Sequence, residues 1–212
     1  MNNRPNQEPE KSYALYRHQE TVKLFESKSD PEIWSAFNQG DEMAFNYLFR
    51  IYTPLLFRYG CQFRVEEALV EDSIQNLFIY LRKKRGDLSQ VSSIKAYLFK
   101  SLQRELFKHL KSDKNRVAIE EDDPLINFQL ELSAESSIIE NELNQEIQEK
   151  LKHSIESLTS RQRQAILLFY EEGMSYKDIA EVMDFNEVKS ARKLIYRAIA
   201  TLKACMDQQG KK

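Results

Sequence analysis

The sequence predicts an all-α fold of two small helical domains joined by an acidic linker, the C-terminal domain being a helix-turn-helix. Three observations predict it. Apolar residues recur at three- and four-residue spacing through most of the 212-residue chain, with no alternating stretch of the strand kind. Only 5 Gly and 5 Pro interrupt that pattern. The charges sum to only -2, yet they fall in blocks of one sign. The blocks set the expected boundaries: a polar extension over 1–28, a helical domain over 29–113, an acidic linker over 114–135, a second helical domain over 136–206 and a tail over 207–212.

In the extension, Tyr13, Tyr16 and Phe25 suit a loose amphipathic helix with no assigned role. Ser29-Asp30-Pro31 is a helix start, with proline where a missing N–H costs nothing, and Gly40 ends that helix behind Ile33, Trp34 and Phe37. Asp41 caps the next. Its stripe is Phe45, Leu48, Phe49, Tyr52, Leu56 and Tyr59, and Pro54 within it predicts a kink or a break. A third helix, from about Val65 to Lys84, buries Val70, Ile74, Leu77, Phe78 and Leu81 and presents Glu71, Asp72, Gln75 and Asn76 on another face. The fourth helix, Ser93 to about Lys111, turns Ile94, Leu98, Leu102 and Leu106 inward. Lys100, Gln103, Arg104, Phe107, Lys108 and Lys111 lie on or near its other side.

Residues 82–116 are strongly basic, with Tyr97, Phe99 and Phe107 interleaved. Cations among aromatic planes suit melted nucleic acid, where bases stack. They equally suit a solvated helix face with Tyr97 and Phe99 in the core. From Val117 to Glu149 every charge is acidic, and Glu120 to Asp123 followed by Pro124 reads as an exposed linker. Helical spacing resumes near Ser136, with Ile139, Leu143, Ile147, Leu151 and Ile155 in register.

The last stretch organises the chain. Ala165, Ile166, Leu168, Phe169 and Tyr170 predict one buried face, stopped by Gly173. Ser175 and Asp178 form a capping box for a short helix carrying Ile179, Ala180 and Met183. Asp184-Phe185-Asn186 is a turn, and a third helix follows from about Glu187 to Met206, with Val188, Ala191, Ile195, Ala198 and Leu202 inside. A short helix, a tight turn and a longer helix make a helix-turn-helix. The last helix carries Lys189, Arg192, Lys193, Arg197 and Lys203 with no acid between Lys189 and Met206. Its first turns would enter a major groove, where Arg and Lys neutralise phosphate and reach guanine edges. The competing reading is the solvated outside of a three-helix bundle.

Other classes find little support. No apolar run approaches the roughly 20 residues of a membrane span, so no direct membrane insertion is expected. The polar first 13 residues carry no secretory pattern, and Cys61 and Cys205 suit ordinary core thiols, which sets the expectation at the cytoplasm. His18, His109 and His153 lack ligand spacing, and no phosphate loop or nucleophile elbow occurs. No enzyme, cofactor, metal or small-molecule substrate is expected. Glu71 and Asp72 suit a partner's basic surface better than acid–base chemistry.

At this point the sequence resembles a known family, the extracytoplasmic-function (ECF) sigma factors of bacterial RNA polymerase. Gly40-Asp41-Glu42-Met43-Ala44-Phe45, with Leu48-Phe49 and Tyr52, resembles the opening of their first domain. Residues Glu71 to Phe78 resemble their polymerase-binding helix, and Ile94 to Phe99 with Gln103-Arg104 the helix that meets the promoter -10 element. Leu158-Thr159 with Arg161 and Arg163, Gly173 to Ala180, and Tyr196-Arg197-Ala198 resemble the domain that meets the -35 element. Thr159 and Glu105 depart from the proline and asparagine usual at those places.

The resemblance implies that 29–113 is sigma region 2 and 136–206 sigma region 4. It implies a polymerase face at Asp72, Gln75 and Asn76, and -10 contacts from Lys100, Gln103, Arg104, Phe107 and Lys108, where one strand melts. It implies -35 contacts from Arg161, Arg163, Lys177, Lys189, Ser190, Arg192, Lys193 and Arg197. The implied partners are the β and β′ subunits of core RNA polymerase, promoter DNA and an anti-sigma factor, and the acidic linker would thread the polymerase toward the RNA exit path. Two other readings stand beside it: a stand-alone helix-turn-helix regulator binding its operator as a dimer, and a helical adaptor binding only proteins.

Overall fold

The computed structural model describes residues 24–114, 128–130 and 142–209, with side chains over 24–110, 128–130 and 149–207. Tyr13, Tyr16, Glu120 to Asp123 and Ile139, and the side chains of Lys111, Leu143 and Ile147, lie outside that description. Among the described residues every regular element is a helix: α1 (Asp30–Asn38), α2 (Glu42–Cys61), α3 (Glu67–Lys83), α4 (Ile94–Lys114), α5 (Glu142–Glu156), α6 (Ser160–Ile166), a π-helical turn (Leu167–Glu171), α7 (Tyr176–Val182) and α8 (Val188–Gln209).

Local chemistry sets the boundaries of the first half. Ser29 N and Oγ both donate to Glu32 Oε2, at 2.8 and 2.6 Å, and fix the start of α1. Gly40, at φ +102°, supplies the left-handed residue between α1 and α2. Asp41 Oδ1 then accepts from Met43 N and Ala44 N at 2.7 and 3.2 Å. The expected break at Pro54 does not occur, because α2 runs through it unbroken. Pro54 and Arg50 both lie on the exposed side, where solvent can serve the Arg50 carbonyl that a proline cannot bond. At Gly60, α2 and α3 approach so closely that a Cβ would stand 2.4 Å from Val70 Cγ1.

Helix α1 also decides where α4 begins. Trp34 Nε1 donates to the Ser89 carbonyl and Asn38 Nδ2 to that of Leu88, each at 2.9 Å. Asp30 Oδ2 accepts from Ile94 N at 2.7 Å, capping the first turn of α4 from outside that helix. Phe25, which the sequence leaves in the polar extension, is fully buried against Tyr47, with ring centroids 5.4 Å apart.

In the second half, Thr159 and Gln162 form a capping box at the start of α6, the helix that precedes the helix-turn-helix, and Ser175 and Asp178 form one for α7. Thr159 therefore supplies the side-chain cap that a proline could not. Beyond Ile166 the helix widens, and Glu172 N bonds the Leu167 carbonyl at 3.0 Å, five residues back. The extra residue per turn rotates Tyr170 out to 62% exposure, correcting the expectation that it shares the buried face. Val188, expected inside α8, is also exposed; Ala191, Ile195 and Ala198 carry the inner stripe. One apolar core runs from Phe25 to Ile195, so the two halves share it, and α4 lies directly against α7.

Candidate nucleic-acid interface

The outward face of α8 carries Lys189, Arg192, Lys193 and Arg197, all exposed, with Ser190 half-buried beside them. Arg192 is held in place. Its Nη2 donates to the Tyr196 hydroxyl at 3.2 Å, and its guanidinium lies 5.3 Å from the Tyr196 ring centroid and 5.9 Å from that of Tyr176. The hydrogen bond from Arg192 and its charge hold the Tyr196 phenol below its ordinary pKa. Tyr176 is in turn stacked on Phe169 at 5.2 Å. The four-residue spacing of Arg192 and Tyr196 signals this pair in the sequence. The part played by Tyr176 has no such local signal.

Lys177 is exposed on α7. Arg161 and Arg163 are occupied by their own chain. Arg161 lies 4.9 Å from the Phe185 ring centroid, beside the Met183 carbonyl. Arg163 donates to the carbonyls of Phe128 and Leu158 at 2.7 and 2.9 Å, and burial pulls its pKa down.

Two cations on the basic face of α4 are paired with the second half. Lys100 Nζ lies 2.8 Å from Asp184 Oδ1, and Arg104 Nη2 reaches the same oxygen at 3.1 Å. Asp184 is the turn residue between α7 and α8, at φ +53°. Burial opposes its ionisation, but the hydrogen bonds and charges of Lys100 and Arg104 outweigh this and hold its carboxyl below the usual range. Phe107 is half-buried, edge-on to Phe63 at 5.5 Å, and Phe99 is fully buried. Lys108 is exposed, and Glu105 turns along the helix toward Lys108 and His109 at 3.7 and 3.3 Å.

Gln103, expected on the outward side, is turned inward and 9% exposed. It follows Leu102 on the flank of the core, where Tyr59 donates to its Oε1 at 2.8 Å. Gln164 Nε2 donates to both Tyr59 Oη and Gln103 Oε1, at 2.7 and 2.8 Å. This buried triad ties α2 and α4 to α6. A second tie is Glu172, whose side chain is 1% exposed. Arg58 Nη2 donates to its Oε1 at 2.9 Å, and Lys95 Nζ lies 2.6 Å from its Oε2. Phe128 completes the seam. It is fully buried, 5.0 Å from Phe63 and 5.9 Å from Tyr59 by ring centroids, and Gln129 N donates to the Gln62 carbonyl at 2.8 Å.

On α3, Asp72, Gln75 and Asn76 are exposed together with Glu71. Ile79 and Tyr80, on the same helix, are exposed apolar residues absent from the expected patch, and Phe49 of α2 is exposed as well. Among the described residues no group of His, Cys, Asp and Glu has the arrangement of a metal site, and no helix is long and apolar enough to cross a membrane.

Residues 148–202, from α5 into α8, match the family model described as Sigma-70, region 4. The chain is 27% identical over 165 residues to the ECF RNA polymerase sigma factor BldN of Streptomyces coelicolor, across 77% of this chain and 60% of that protein. It therefore spans less than two thirds of that relative's length. It is 25% identical over 164 residues to the ECF RNA polymerase sigma factor SigM of Bacillus subtilis, across 76% of this chain and 94% of that protein. Two solved structures share the fold at 20% identity. CnrH, solved in complex with the cytosolic domain of CnrY, superposes with a TM-score of 0.55 over 85% of this chain and 99% of its own. The sigma factor RpoE of Bartonella quintana, solved with the anti-sigma factor NepR, gives 0.52 over 77% and 96%. The region-4 match falls on the helix-turn-helix with its basic outer face, and the likeness to the two curated relatives, both extracytoplasmic-function RNA polymerase sigma factors, extends it through the first half.

Proposed function

We propose that this chain directs bacterial RNA polymerase core to specific promoters and helps melt the -10 element. The observation that carries this is the coincidence of the region-4 match with a helix-turn-helix whose outer face bears Lys189, Arg192, Lys193 and Arg197. In this reading α8 enters the -35 major groove. Lys189 and Arg197 meet phosphates, and Arg192, braced by Tyr176 and Tyr196, reads a base edge together with Lys193. Bracing favours recognition because less side-chain freedom is lost on binding. Lys177 and Ser190 flank this contact; Arg161 and Arg163 support the fold around it.

The first half, residues 29–113, acts as region 2. Asp72, Gln75 and Asn76, with Ile79 and Tyr80 beside them, dock on the polymerase β and β′ subunits, an acidic rim around apolar anchors. Lys100, Arg104 and Lys108 follow the melted -10 strand, with Phe107 beside them; Gln103 serves packing. The chain itself takes no catalytic step. It positions the polymerase, which works in the cytoplasm. RpoE was solved with the anti-sigma factor NepR, and a partner of that kind is inferred here.

The test is run-off transcription with purified core polymerase and a promoter library, comparing the wild type with Arg192→Ala/Lys193→Ala. Specific initiation that needs the chain and fades in the double variant supports the reading. No initiation and no co-elution with core polymerase sinks it.

A further inference from the structure

Of the exposed cations Lys189, Arg192, Lys193 and Arg197 on α8, Arg192 alone is held by aromatic rings among the described residues. The holding begins far from its own helix. Phe169, in the π-helical turn, stacks on Tyr176 of α7 at 5.2 Å with an interplanar angle of 17°, and Tyr170 meets the Phe169 ring edge-on at 5.0 Å. The Arg192 guanidinium then lies 5.9 Å from the Tyr176 ring centroid and 5.3 Å from that of Tyr196. A chain of ring contacts thus runs from the π-helical turn through α7 to a single cation on α8.

The chemistry of that cation decides what the chain of rings is for. Any cation can meet a phosphate, and Lys189, Lys193 and Arg197 suffice for that. A fixed guanidinium matters only where direction matters. Guanine presents two acceptors, O6 and N7, side by side in the major groove, and the planar guanidinium fork matches the pair. Arg192 Nη2 donates to the Tyr196 hydroxyl at 3.2 Å, and a guanidinium has further N–H groups to offer a base. A flexible arginine loses side-chain freedom on seating against guanine, and a braced one loses less. The π-helical turn fits the same purpose. Such turns recur at functional sites, and this one sets Phe169 against Tyr176 while turning Tyr170 outward.

We propose that the chain selects guanine at one base pair of its duplex site through Arg192, and that Tyr176, stacked on Phe169, is the positioning residue that sets this selectivity. The inference rests on reading α8 as the helix that enters the -35 groove. It adds the base that is read and a residue outside α8 that fixes the choice. Tyr176 acts through Arg192 and not on the base itself.

The experiment uses holoenzyme assembled from core polymerase and the full chain, transcribing a template library randomised across the -35 region and read by sequencing. The free full chain is tested in parallel for binding to the same randomised duplexes. Wild type should enrich guanine at one position. Arg192→Ala should lower that preference about 10-fold, and Tyr176→Leu about 3-fold at the same position. Replacing that guanine by 7-deazaguanine, which lacks the N7 acceptor, should weaken the wild type and leave Arg192→Ala unaffected. Lys189→Ala is the control for a phosphate contact, and it should weaken all sequences alike and flatten the salt dependence. A guanine preference that survives Arg192→Ala or Tyr176→Leu overturns the proposal. So does a Tyr176→Leu that lowers output on all sequences alike, as a merely structural role would, or an Arg192→Ala that behaves as Lys189→Ala. The two readings fail separately. A wild type that initiates with no guanine preference tied to Arg192 keeps the sigma function and loses this inference. A free chain that selects guanine through Arg192 and Tyr176, yet never initiates with core polymerase, keeps this inference and loses the sigma function. Neither initiation nor selection overturns both.

Discussion

The basic faces of α4 and α8 carry similar cations but have different neighbours. Lys100 and Arg104 on α4 are met by Asp184 of the same chain. On α8, among the described residues, no carboxylate pairs with Lys189, Arg192, Lys193 or Arg197, and Arg192 is braced by a phenol instead. A phenol orients a guanidinium without neutralising it, whereas a carboxylate orients and also competes. The same residue type is thus braced by a phenol on one helix and paired with a carboxylate on the other. Counting basic residues along the sequence cannot separate the two states.

Four changes probe that contrast, in descending order of expected effect. Arg192→Ala/Lys193→Ala should weaken binding to a promoter duplex by about 100-fold, since a good base contact is worth about 1–3 kcal/mol. Lys100→Ala/Arg104→Ala in the free chain should leave that duplex affinity nearly unchanged. A comparable loss in both, read by gel shift at fixed salt, would erase the distinction between the faces. Gln164→Leu removes two buried hydrogen bonds across the seam and should lower unfolding stability by about 1–3 kcal/mol in urea melts. An unchanged midpoint would mean the triad adds nothing to closure. Thr159→Ala removes the cap of α6 and should cost about 1 kcal/mol, leaving the α4 contacts intact.

The smallest effect concerns pH. Asp184 has its pKa lowered in the folded chain from the reference of 3.8, so its contribution is complete above that value. It is lost as pH falls through the depressed one. Scattering should therefore stay constant from neutral pH down to about 4 and expand only below it, and Asp184→Asn should abolish that acid-specific component. Expansion beginning near pH 6 would point to a histidine instead.

Much of the architecture was legible from spacing and caps. Ser29, Asp41 and Ser175 mark their helix starts, and the stripes of α3 and α4 bury the residues their periodicity selects. What escaped has physical causes. Tyr170 was misplaced because periodicity assumes a constant turn, and the π-helical turn adds a residue. Gln103 was misplaced because its partners, Tyr59 and Gln164, lie 44 and 61 positions away in sequence, beyond any local pattern. Phe128 has Leu125 and Leu132 at helical spacing, but the acidic residues around them made the whole tract read as an exposed linker. Position along a helix shows which side a residue faces, but not whether another part of the chain covers that side.

The seating of Phe128 changes how the chain closes on itself. Without it, the halves are joined by one tether, residues 115–141; with it seated against Tyr59 and Phe63, the second half hangs on residues 131–141 alone. Tether statistics fall roughly as the three-halves power of length, so this raises the local concentration of one half around the other by about fourfold. A second half that lets go of α4 while the ring stays in place recaptures it quickly. One that also pulls the ring free returns more slowly. A single aromatic side chain in the linker thereby sets how much chain is left free between the halves.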